Sequence, residues 1–163
     1  MPPAAPGRSR RRATPAYTLI DLVITVAIVA TMAAIALPRY GQSVARYRAD
    51  MAAHRIVQDL NLLRMRARAQ GTYETGYYYA DGDYVRFVCD PDLDDVTKNY
   101  YVYLNRDPYR ADIVEVSFKD GTEDRMMYGN YGQPYWGGYI VIQVGEEERK
   151  IVVDPDTGEA TVE

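Results

Sequence analysis

Apolar residues run almost unbroken from Tyr17 to Leu37, interrupted by Thr18, Asp21, Thr25 and Thr31. At about 1.5 Å per residue the run spans roughly 31 Å as a helix, enough to cross a bilayer core. A secretory signal peptide has a shorter apolar core, followed by a small-residue cleavage site. Beyond Pro38 the apolar positions become periodic: Tyr40, Val44, Tyr47, Met51, Ile56, Leu60, Leu63 and Ala67. Steps of three, four and one five predict an amphipathic continuation of the same helix. One helix is therefore expected from Leu19 to about Gln70. Pro38 removes one backbone hydrogen bond and should kink it rather than end it, and Gly71 is a natural stop.

After Gly71 the pattern changes to short strands and turns. Strands are predicted at 73–79, 84–89, 100–104, 113–118, 126–128, 139–144, 150–153 and 160–162. Asp81-Gly82-Asp83 reads as a hairpin turn, and Lys119-Asp120-Gly121-Thr122, 145–148 and 154–158 read as breaks. Strands of this kind need a cover on one face, and the helix over about 45–70 supplies it. The fold class is thus α+β, a long N-terminal helix packed on an antiparallel sheet.

Charge divides the chain further. Residues 1–16 carry four arginines (Arg8, Arg10, Arg11, Arg12) and no acid, and residues 39–70 carry seven arginines against Asp50 and Asp59. Residues 71–163 hold eight basic and twenty acidic groups, a balance of −12. Phosphate contacts need a basic surface, so no nucleic acid is expected on the distal part. The positive-inside tendency keeps the four arginines cytoplasmic and places the chain beyond Pro38 on the far side of the membrane. Four segments result: a basic leader (1–16), a membrane helix (17–38), an amphipathic half (39–70) and a β-rich head (71–163).

Asp21 stands out. A charged residue at the centre of a membrane helix costs about 2.5–3.5 kcal/mol on insertion scales, less near an interface. The helix dipole favours an acid in the first turn. Asp21 is therefore either a tolerated boundary acid or a carboxylate awaiting a positive partner within the membrane.

Ala16, Tyr17, Thr18, Leu19, Ile20, Asp21 and the later Pro38 together resemble the N-terminal signature of type IV pilins and type II secretion pseudopilins. Ala16 stands where that family usually has glycine, Tyr17 where it has phenylalanine, and Asp21 where it has glutamate. The helix end DLNLLRMRARAQ (59–70) and the closing RKIVVDPDTGEATVE (149–163) are similar to the GspH/FimT group of minor pseudopilins. The resemblance implies that a prepilin peptidase cuts between Ala16 and Tyr17 and that the new Tyr17 amine is N-methylated. It also implies that Asp21 pairs with such an amine, its own or a neighbour's. The chain would then be a single-pass protein of a bacterial inner membrane with a periplasmic head. Its partners would be other pilins or pseudopilins, the peptidase and inner-membrane assembly components. The acidic head favours a secretion system over a pilus that handles DNA.

Other chemistry is sparse. Cys89 is the one cysteine, so no internal disulfide forms, and it is expected as a small buried apolar residue. His54 is expected on the helix surface or in packing. No nucleophile elbow, Walker loop or Cys/His metal spacing appears, so neither an enzyme nor a cofactor is expected. Asp90, Asp92 and Asp94 resemble the start of a calcium loop but lack its central glycine and closing glutamate. Thirteen of sixteen tyrosines lie beyond residue 71, most of them suited to half-buried strands. The Gly-rich loop 128–138, read as flexible, offers Tyr131, Tyr135 and Trp136 as a partner surface. A membrane-anchored ligand- or protein-binding module that never polymerises is the alternative function. An anchored hydrolase using paired carboxylates is a third.

Overall fold

The computed structural model describes residues 18–81, 84–89 and 100–163, with the backbone alone over 80–81 and 84–89. Helix α1 spans Leu19–Gln70 and contains Pro38 without ending there. Gly71 comes next at φ 65°, the left-handed position that closes a helix at little cost when no Cβ is present. Eight strands succeed it: β1 (Glu74–Asp81), β2 (Tyr84–Cys89), β3 (Tyr100–Tyr103), β4 (Asp112–Phe118), β5 (Arg125–Tyr128), β6 (Gly138–Val144), β7 (Glu147–Val153) and β8 (Ala160–Val162). All pairings are antiparallel. The layout is α+β, and each predicted strand overlaps an observed one.

The strands form two sheets where the sequence suggested one. Their orders are β3-β2-β1-β5 and β4-β6-β7-β8. The chain changes sheet between β3 and β4 and again on either side of β5. Lys119 (φ 48°), Asp120 (φ 57°) and Gly121 (φ 80°) turn the backbone sharply after β4, and Phe118 bridges to Glu123 across that turn. The buried rings of Tyr78 on β1 and Phe118 on β4 lie 6.1 Å apart and join the two sheets.

Two compact units divide the chain between Arg39 and Tyr40. In the second, α1 contributes Ala49, Ala52, Ala53, Ile56, Leu60, Leu63 and Ala67 to the core. Phe118, Met126, Tyr128, Ile140, Ile142, Ile151 and Val153 are among the strand residues packed with them. Full burial of each large aliphatic side chain contributes about 1.5–3 kcal/mol. The expected apolar stripe holds from Ile56 onward and fails before it. Tyr47 is 64 % exposed, and alanines take the buried positions instead. A step of five, from Met51 to Ile56, rotates about 140° around a helix and leaves the buried face. Small side chains there let the helix axis approach the strands closely.

Two local devices fix the second sheet. A Cβ on Gly138 would stand 2.3 Å from the Ser117 carbonyl oxygen and 2.4 Å from Phe118 Cδ1, so glycine permits β4 and β6 to meet. Arg46 and Asp50 on α1 pair with Glu147 and Arg149 on β7, at 3.2 Å for Arg46–Glu147 and 2.7 Å for Arg149–Asp50. The Arg46 guanidinium, donating to the Glu147 carboxylate, holds it below the usual carboxylate range.

Candidate functional site

The described part of the first unit carries a polar clasp at the start of α1. Thr18 precedes α1, and its Oγ1 donates to Asp21 Oδ2 at 2.8 Å. The Thr18 backbone N–H donates to the same oxygen at 3.3 Å. A carboxylate at the third helical position reaching back to the cap residue is the acid half of a capping box. It satisfies an amide that the helix itself leaves without a partner. Beyond the clasp every side chain from Leu19 to Leu37 is exposed; Leu19 is 80 % exposed and Met32 66 %. This helix is long and apolar enough to cross a membrane, and it is compatible with a single-pass anchor. Ala16 and Tyr17, the expected cleavage and methylation positions, lie outside the described residues, as do Asp90, Asp92, Asp94 and the Cys89 side chain.

In the second unit the aromatic loop is hydrogen-bonded to α1 and across itself. Arg68 Nε donates to the Tyr131 carbonyl at 2.9 Å, and Arg64 Nε to the Gly132 carbonyl at 3.2 Å. Gly129 N–H donates to the Gln133 carbonyl at 2.8 Å, and Tyr135 N–H to the Met127 carbonyl at 3.0 Å. Tyr131 and Tyr135 remain 78 % and 57 % exposed. Trp136 is half-buried, packs at 5.9 Å from the Tyr135 ring, and donates its indole N–H to the Arg125 carbonyl at 3.2 Å. Tyr135 and Trp136 thus form one patch, and Tyr131 projects from the arginine-held turn.

Sequence reasoning missed the side chains that share a groove with Trp136. Tyr139, Lys119 and Lys150 line it, around a space of about 510 Å³. The available signal was strand alternation. Ser117, Tyr139 and Val152 are cross-strand neighbours on one face. The buried Ile140, Ile151 and Val153 alternate with them on the other face.

His54 is exposed and lines a second hollow with Tyr47, Met51 and Tyr109. Beside it Asp59, 3 % exposed, accepts from Tyr100 Oη at 2.9 Å and from Arg55 Nε at 3.3 Å. The Tyr100 hydroxyl accepts in turn from Arg55 Nη2. Burial raises the Asp59 carboxyl above its ordinary value, and Arg55 and Tyr100 offset this only in part. Burial also pushes the Tyr100 phenol up to about 12. A raised folded-state carboxyl favours the native form at acid pH. That advantage disappears as pH climbs from about 4 through the raised value. Relative to Asp59→Asn, the wild-type chain should therefore lose stability over that interval, as read by paired thermal melts. A pH-independent difference would contradict the assignment. Among the described residues no group of three or more His, Cys, Asp or Glu side chains could hold a metal ion.

Against known protein families, characterised proteins and solved structures, no match to this chain is found.

Proposed function

We propose that the chain is a pilin-like structural subunit of the minor pseudopilin kind, stored in a bacterial inner membrane and assembled into a short periplasmic filament of a secretion system. The Thr18–Asp21 clasp is the observation that carries this reading. Asp21 Oδ2 lies 3.3 Å from the Thr18 nitrogen. A free amine on Tyr17 would sit three covalent bonds from that nitrogen, within about 4 Å of it. Removal of the four-arginine leader would thus create an ammonium one residue before the amide from which this carboxylate already accepts. In a membrane that pairing offsets the cost of burying either charge. The exposed apolar side chains of α1 supply the packing surface, and Ala27, Ala30, Ala33, Ala34 and Ala36 permit close helix approach.

The test is the intact mass of the chain after co-expression with a prepilin peptidase. Loss of residues 1–16, with one methyl group on the new terminus when the methylating activity is present, is the expected result. A chain that keeps its leader under those conditions is a signal-anchored binding module, and the filament reading fails.

A further inference from the structure

We propose that the outer face of the β4-β6-β7-β8 sheet is a docking groove for an acidic, extended peptide segment of a partner protein, with Lys119 and Lys150 as its anion contacts. This goes beyond the subunit reading and does not depend on polymerisation.

Charge carries the argument. The region after residue 70 has a balance of −12, yet two of its eight basic side chains gather at one groove. Lys150 Nζ stands 4.3 Å from the Tyr139 ring centroid, and Lys119 Nζ 5.2 Å from the Trp136 ring. Both rings are fixed by their own polar ends. Tyr139 Oη donates to Glu115 Oε1 at 2.6 Å, and the Trp136 indole donates to the Arg125 carbonyl. A ring face positions an ammonium by its quadrupole but does not neutralise it. Among the described residues Lys150 has no carboxylate within ion-pair distance. The carboxylate near Lys119, Glu123 at 3.8 Å, is held more closely by Arg125 at 2.9 Å. Among the described residues that line the groove Asp120 is the one acid, and Glu115 is held beside it on the Tyr139 hydroxyl. An acidic partner is repelled by most of this head and steered to the place where two cations stand ready.

The shape favours a peptide over a sugar. Sugars stack on open aromatic faces, and here an ammonium occupies a face of each ring. Ser117, Tyr139 and Val152 lie side by side across three strands, so the floor crosses the sheet and is partly apolar. An extended chain with carboxylates and an occasional aliphatic or proline side chain matches that floor.

The probe is a blocked hexapeptide with the sequence of residues 90–95, Asp-Pro-Asp-Leu-Asp-Asp, titrated calorimetrically into the full chain in a neutral detergent. Binding that weakens with added salt is expected, reduced at least about fivefold by the double change Lys119→Gln and Lys150→Gln, and restored by Lys119→Arg with Lys150→Arg. The same peptide with all four carboxylates as amides should not bind. Both lysines are exposed, and an unchanged circular dichroism spectrum and thermal melt certify the fold of each variant. Absent binding, or binding equal in wild type and the glutamine variant, overturns the proposal. So does lysine-dependent binding of an oligouronate where the peptide fails, because the groove then serves an anionic sugar.

Discussion

On the proposed subunit reading, Asp21→Ala is expected to leave membrane insertion intact and to cut incorporation into filaments at least about tenfold, since it would strip the partner from the proposed Tyr17 ammonium. Insertion itself should become slightly easier, because a charge leaves the apolar run. Alanine also removes the contact to Thr18, the acid half of the capping box, while Thr18 itself stays as the cap residue. Asp21→Asn separates the two roles. Asparagine keeps an oxygen for the Thr18 hydroxyl and amide but carries no charge. If capping were the whole role of Asp21, the asparagine variant would assemble normally. If charge pairing governs assembly, asparagine fails like alanine and Asp21→Glu succeeds. The measurement is the amount of each variant in sheared filaments against the amount in the membrane fraction.

Glu74→Ala should be strongly destabilising to the head. Arg66 Nη2 lies 3.7 Å from Glu74 Oε1, with side chains 7 % and 5 % exposed. Removing one partner of a buried ion pair leaves the other charge in a low-dielectric site, at a cost of about 3–5 kcal/mol. Against a typical domain stability of about 5–15 kcal/mol, that lowers the melting temperature by roughly 10–20 °C. Trp136 fluorescence during heating of the detergent-solubilised chain reads the change. The double variant Arg66→Met with Glu74→Leu should recover most of the loss, because two apolar groups of similar volume remove both desolvation penalties. Failure of the double variant to recover would show that the pair holds α1 and β1 by specific geometry rather than by mutual neutralisation.

Much of the architecture is legible in the sequence because it rests on periodicity. The switch from a near-continuous apolar run to steps of three and four, and then to short alternating stretches, marks the helix and the strands without reference to any neighbour. Gly71 and Asp154 are local too. A glycine closes the helix, and a carboxylate accepts from Thr157 and Asp156, which lowers its own pKa. Asp21 is conspicuous by composition alone, as a charge in an apolar run.

The sequence could not determine anything set by pairs far apart along the chain. The division into two sheets depends on which strand edges meet, and a strand's residues are compatible with several partners. The alanine face of α1 escapes a search for apolar periodicity because alanine is too small to register as a hydrophobic anchor, although close packing selects it. The depth of Asp59 and of the Arg66–Glu74 pair is likewise a tertiary fact, since burial is the sum of every element laid over a site. So is the meeting of Lys119, Trp136, Tyr139 and Lys150, which lie up to thirty-one positions apart. Local backbone and solvation preferences are written residue by residue. The electrostatic and steric environment of a side chain exists only once the strands have been placed beside one another.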